Sequence, residues 1–154
     1  IDRKSRSNTR TWQKNQRKLG IVKIIGLDDK EYNWNYKQSQ CSSESRSKLH
    51  LRARELISKM FPYDISLEEV LLPGCGKSVL YADFYLPLRK IMIEVNGQQH
   101  SKYVHFYHKE KLNFYKGLNR DKKKKEWCEK NGITLISLNF DQTDEQWEHI
   151  INAR

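Results

Sequence analysis

Cysteine is scarce in this chain of 154 residues: Cys41, Cys75 and Cys128 are odd in number, far apart and free of any CxxC spacing. That excludes a disulfide framework or a structural zinc site as the organising device, and makes a reducing cytoplasm the expected compartment. No apolar run approaches 18 residues and no basic helix carries a broad apolar face, so membrane association is not expected. No signal peptide is visible, although a chain beginning at Ile1 reads as a piece of a longer protein. Acids are almost missing from the start. Residues 1–25 contain Asp2 alone against Arg3, Lys4, Arg6, Arg10, Lys14, Arg17, Lys18 and Lys23, with little apolar periodicity before Ile21.

What is present complements these absences. A formal net charge of +10 points to a polyanionic partner, and eight tyrosines, five phenylalanines and four tryptophans add surfaces for stacking or groove contact. Double-stranded DNA fits best. At 37% apolar the chain can bury one modest core. The expected organisation is a basic, DNA-contacting arm over residues 1–40, using Arg3, Lys4, Arg6, Arg10, Lys14, Arg17 and Lys18, followed by one compact domain over 41–154. Ile21 to Ile25 reads as a short strand, and Tyr32 to Tyr36 as an aromatic loop.

Ser42-Ser43-Glu44 has the composition of a helix start, and Leu49, Ala53, Leu56, Ile57 and Met60 share a face before Phe61-Pro62 ends the helix. Leu67 to Leu72 predicts a strand leading into the turn Pro73-Gly74-Cys75-Gly76. The following Gly76-Lys77-Ser78 mimics the end of a nucleotide-binding loop, but Leu71 stands where the first glycine is required and a strand follows instead of a helix. Nucleotide hydrolysis is therefore excluded. Residues 109 to 131 predict a helix broken near Gly117, whose inward arc would hold Leu118, Asp121, Lys125 and Cys128. Asn131-Gly132 stops it; Ile133 to Leu138 is a further strand, and Thr143 caps a last helix from Asp144 to Ile151. The pattern predicts an α/β fold, more closely α+β, with a mostly four-stranded mixed sheet between helices.

The chemistry concentrates between Val79 and His100. Two apolar strands, Val79 to Leu86 and Ile91 to Val95, are each interrupted by one carboxylate, Asp83 and Glu94. A hairpin centred on Leu88-Arg89 pairs Pro87 with Lys90 and so sets Asp83 opposite Glu94; a slip of one residue would part them. Like charges that close, on apolar strands, call for a neutralising cation, and carboxylate oxygens suit Mg²⁺. Asn96-Gly97-Gln98-Gln99-His100 adds a polar cluster just past the strand end.

Taken together, Asp83-Phe84-Tyr85-Leu86-Pro87, Ile93-Glu94-Val95-Asn96-Gly97-Gln98-Gln99-His100, Arg120-Asp121-Lys122 and Asn131-Gly132-Ile133 resemble the very short patch repair-like branch of the PD-(D/E)XK nuclease superfamily. The resemblance covers roughly residues 42 to 140 and is closest to phage homing endonucleases described by an EDxHD motif. It implies a restriction-endonuclease-like core, Mg²⁺ (or Mn²⁺) as cofactor, DNA as substrate, a bacterial or phage-infected cell as setting, and room for a homodimer. By it Glu44, Asp83, His100 and Asp121 match the motif, and Glu94 joins Asp83 as a metal ligand. In this expectation His100 is the base, with Gln99 and Lys125 in support. The lysine expected two residues after Glu94 is Asn96, which passes its work to His100 or Lys125. A mismatch- or structure-specific nicking enzyme, or a DNA-binding module with a decayed site, would use the same core.

Overall fold

A computed structural model describes residues 20–41, 46–97 and 108–154. Glu44, Gln99, His100 and the arm cations from Arg3 to Lys18 lie outside them. The described elements, in chain order, are β1 (Ile21–Ile25), β2 (Glu31–Asn35), α1 (Lys48–Met60), β3 (Leu67–Leu71), β4 (Tyr81–Leu86), β5 (Ile91–Asn96), α2 (His108–Lys130), β6 (Thr134–Asn139) and α3 (Asp144–Asn152).

The main sheet has the order β3-β4-β5-β6, antiparallel except for the parallel β5/β6 pair, so it is mixed and four-stranded. Residues 87–90 turn β4 into β5, with Lys90 in the left-handed region at φ 51°, and the strands pair Phe84 with Ile93 and Leu86 with Ile91. This is the register that places Asp83 level with Glu94. Because side chains alternate along β5, Ile91 and Ile93 enter one core and Met92 the other. Ala53, Leu56 and Ile57 of α1 and Trp147 and Ile151 of α3 fill the first. Trp127 and Cys128 of α2 fill the second, together with the β1-β2 hairpin.

That hairpin corrects the expected aromatic loop. Residues 31–35 are a strand, not an aromatic loop, because alternation sends Trp34 inward to 1% exposure. Its ring lies 4.9 Å from Tyr85 and edge-on to Trp127 at 5.1 Å, and its indole N–H donates to the Leu71 carbonyl at 3.0 Å. The turn is fixed as well: the Leu27 N–H donates to the Gly74 carbonyl at 2.8 Å, and a Cβ on Gly26 would stand 2.8 Å from that same oxygen. Residues of the hairpin thus pack into the same core as the main sheet.

Two helices also differ from expectation. α1 begins later than Ser42-Ser43, with Ser47 accepting from the His50 N–H at 3.1 Å. Before it, the Cys41 N–H donates to the Glu69 carbonyl of β3. α2 runs unbroken through Gly117, and its inward face is turned from the expected arc: Leu118, Asp121 and Lys125 are exposed, while Trp127 and Cys128 are buried. α3 matches its expected cap, with Thr143 and Gln146 closing a reciprocal capping box.

His50, absent from the expected apolar face of α1, is buried because it meets Glu68 of β3 at 2.5 Å and stacks on Phe84. Burial pushes the Glu68 carboxyl up, but the His50 and Arg54 contacts outweigh it and hold its pKa below the ordinary 4.5. A carboxyl lowered on folding stabilises above its unfolded value and loses that contribution as pH falls through the folded one. Glu68→Gln should therefore destabilise the protein at neutral pH, with the gap to wild type closing only below about 4.5; urea melts across pH check this. Trp34→Ala should cost about 3–5 kcal/mol, the usual loss for a buried indole. A loss under about 1 kcal/mol in the same melts would make the hairpin an appendage instead of core.

Candidate active site

The two carboxylates expected to meet do so at one end of the main sheet. Regular pairing of β4 with β5 stops at Phe84↔Ile93, and the next residues no longer exchange backbone hydrogen bonds. The Asp83 carboxylate takes over instead, its Oδ2 accepting from the Val95 N–H at 2.9 Å. An irregularity in the neighbouring strand accompanies this. Glu69, level with Asp83 between the paired Glu68↔Phe84 and Val70↔Ala82, has φ 47° and is unpaired. Alternation breaks on both strands at this level: Leu67 and Val70 share a core, as do Ala82 and Tyr85. The break is what allows Asp83 to sit between strands.

Glu94 follows from β5 being central. Its side chain lies on the Met92 side, beneath α2, and the residue is 9% exposed. Oε2 accepts from Lys124 Nζ at 3.1 Å, whereas Oε1 is buried with no hydrogen-bond partner among the described residues. Burial pushes the carboxyl well above its ordinary 4.5, the Asp83 charge pushes the same way, and the Lys124 ammonium opposes both. Two ionised carboxylates can only accept, so Glu94 and Asp83 hydrogen-bond each other when one holds a proton. With both ionised, Oε1 needs a cation.

Glu94 faces a cleft of about 300 Å³ between the parallel strands β5 and β6 and helix α2. Glu94 and Asn96 of β5, Asp121, Lys122, Lys124 and Lys125 of α2, and Leu135 and Ser137 of β6 line it. The Asn96 side chain donates to Asn139 Oδ1 at 3.1 Å and ties the two strands at the cleft floor. A larger cavity, about 680 Å³, lies at the other end of β5 beside Pro87 and Leu88 and contains no carboxylate.

Of the residues anticipated from sequence, Asp83 and Glu94 are brought together, and Asp121 and Lys125 line the same cleft from α2. Glu44, Gln99 and His100 lie outside the described residues. Lys124 was missed. Its signal was present: Trp127 and Cys128 mark the buried face of α2, and residues three and four positions before them share it. Anchoring the arc on Leu118, which is 46% exposed, turned the wheel by one residue and selected Lys125.

Among the described residues no group of three or more His, Cys, Asp or Glu is placed to hold a metal ion. The Asp83-Glu94 pair still suits Mg²⁺, which keeps several waters and commonly takes only one or two protein carboxylates. The orphaned Oε1 is the atom that such an ion would satisfy. Mg²⁺ should raise the melting temperature of the wild type relative to EDTA, by the equivalent of about 2.7 kcal/mol at a hundred times its dissociation constant. Glu94→Gln should abolish the rise; an equal rise in that variant would place the ion elsewhere.

No family model matches the chain, and no solved structure matches it. The chain is similar to the uncharacterized protein 307L of Invertebrate iridescent virus 6, 36% identical over 69 residues. That stretch is 45% of this chain and 35% of the viral protein, so the chain spans about a third of that relative's length. Among the described residues no helix is long and apolar enough to cross a membrane.

Proposed function

We propose that this chain is a metal-dependent DNA endonuclease, the catalytic portion of an enzyme similar to the very short patch repair-like branch and its phage homing endonucleases. The observation that carries the reading is Glu94: a buried carboxylate beside Asp83, with one oxygen on Lys124 and the other without a partner among the described residues, opening onto a cleft lined by lysines. A buried acid is costly unless it is paired or functional, and here the pairing is only half complete. Mg²⁺ or Mn²⁺, when bound, would supply polarisation of the phosphate and neutralisation of developing charge.

The chain's own residues divide the remaining work. Asp83, held by the Val95 N–H, and Glu94, held by Lys124, present fixed oxygens to the ion. Lys122 and Lys125 at the cleft wall attract the phosphate backbone, consistent with the +10 charge of the whole chain. Lys124 stands in for the lysine missing at Asn96, delivered from a helix instead of the strand. That substitution favours a working site over a decayed one. His100 as the base, with Glu44 and Asp121 orienting it or water or completing a second metal position, is carried by the sequence resemblance alone. Target sequence, and whether one or both strands are cut, would be set by parts of the protein outside this site.

The test is incubation of supercoiled plasmid with Mg²⁺ and with EDTA. Nicked or linear product should appear only with the metal. Asp83→Asn should abolish cleavage while leaving DNA affinity nearly unchanged, and wild-type cleavage by that variant would remove Asp83 from the mechanism. Lys124→Met should lower the rate by about 10²–10³, the usual effect of losing one preorganised electrostatic group. Absence of metal-dependent cleavage by the wild type on any DNA form would overturn the reading.

A further inference from the structure

α2 directs two consecutive lysines to different partners. Lys124 meets Glu94, whereas Lys123 Nζ donates to the Ser78 hydroxyl oxygen at 2.6 Å. The second contact is the unusual one. Every other half-buried cation among the described residues has a carboxylate: Arg46 has Glu69, Arg52 has Asp144, Arg54 has Glu68, Lys124 has Glu94 and Lys130 has Asp29. Lys123 is withdrawn from solvent like these, yet its partner is neutral. Partly dehydrating an ammonium without a counter-ion is unfavourable, so the arrangement is half of a pair whose anion comes from outside.

The surroundings suit an oxyanion. Ser78 accepts from Lys123 and so keeps its own O–H proton to donate. Lys77 beside it is exposed, and residues 73–79 contain no acid. Gly76, at φ 63°, has no atom within 4 Å of where a Cβ would stand, which leaves that side of the loop open. Lys123 directly precedes Lys124, the cleft-lining partner of Glu94, on the same helix.

We infer that Lys123 and Ser78 form a phosphate subsite whose occupant is a backbone phosphate of the DNA strand, next to the one held in the cleft. The inference rests on the nuclease reading above. Lys123 supplies the charge and Ser78 a directional donor, while Lys77 extends the positive rim. The subsite positions the strand and takes no part in bond breaking.

Binding of the whole chain to a duplex oligonucleotide, followed across salt concentration in EDTA, tests this separately from cleavage. Each phosphate contact adds about 0.9 to the slope of log affinity against log salt, so Lys123→Gln should flatten the slope by about that amount. Ser78→Glu guards against a folding artefact: it gives Lys123 the carboxylate its counterparts have, so the melting temperature should hold or rise while the slope still flattens. Lys59→Gln, an exposed charge on α1 across the sheet, should leave the slope unchanged. A full wild-type slope in both Lys123→Gln and Ser78→Glu overturns the subsite and leaves the nuclease reading standing. Equal flattening by Lys59→Gln overturns it as a mere effect of net charge. Thermal stabilisation by inorganic phosphate that Lys123→Gln abolishes, with no change in DNA slope, overturns it in favour of a free anion. Wild-type protein without salt-dependent DNA affinity overturns both readings together.

Discussion

A carboxylate on the central strand of a sheet has to be neutralised, and much of this structure follows from how Glu94 is. Its position on β5 places it between the Met92 side of the core and α2, where water cannot solvate it fully. Lys124 reaches it from the helix, and that contact fixes the rotational setting of α2 as surely as Trp127 and Cys128 do from the apolar side. Only one oxygen of Glu94 is satisfied by protein. The site is therefore poised to take either a proton or a cation, and the neighbouring Asp83 makes the cation the better answer when both acids are ionised.

The β1-β2 hairpin, far from the acids in sequence, helps to hold this arrangement. Asn131 closes α2 and pairs with Ile25 in both directions, accepting from its N–H at 2.7 Å and donating to its carbonyl at 2.9 Å. Trp127 donates to the Pro73 carbonyl at 2.8 Å while Trp34 packs on its ring. The helix that delivers Lys123 and Lys124 is thus clamped at its carboxyl end by the hairpin, the 73–78 loop and β3. Rigid support of this kind is what a positioned ammonium needs, since an unrestrained lysine loses much of its interaction to side-chain entropy.

The positive charge of the chain is distributed unevenly in kind. Most half-buried cations are spent on structure: Arg52 lies over Trp147 and pairs with Asp144, and Arg54 and Arg46 brace β3. The run from Lys122 to Lys125 differs, because Lys122 and Lys125 face the cleft and Lys123, among the described residues, meets a hydroxyl and no carboxylate. A partner attracted by net charge would meet this run first as a surface with unmet electrostatic demand. The similarity to the viral protein 307L is compatible with this reading without adding to it, since it covers less than half of the chain.

By itself, the sequence determined what depends on local pattern. The β4-β5 register followed from the position of the turn and the period of two, and with it the meeting of Asp83 and Glu94. The mixed four-stranded sheet, the end of α1 at Phe61 and the Thr143 cap were equally legible, because alternation, periodicity and capping act over a few residues. Tertiary structure decided the rest. Whether residues 31–35 form a loop or a strand rested on Trp34 finding Tyr85 and Trp127, partners 51 and 93 positions away in the numbering. The phase of α2 rested on which residues meet the sheet, and apolar Leu118 proved exposed where the helix extends beyond it. Asp83 accepts from the Val95 N–H at the level where the β3-β4 alternation breaks at Glu69, an irregularity with no signature in composition. Lys124 became the partner of Glu94 through packing between a helix and a strand 30 residues apart, and its local signal counted only once Trp127 and Cys128, not Leu118, were known to set the buried face.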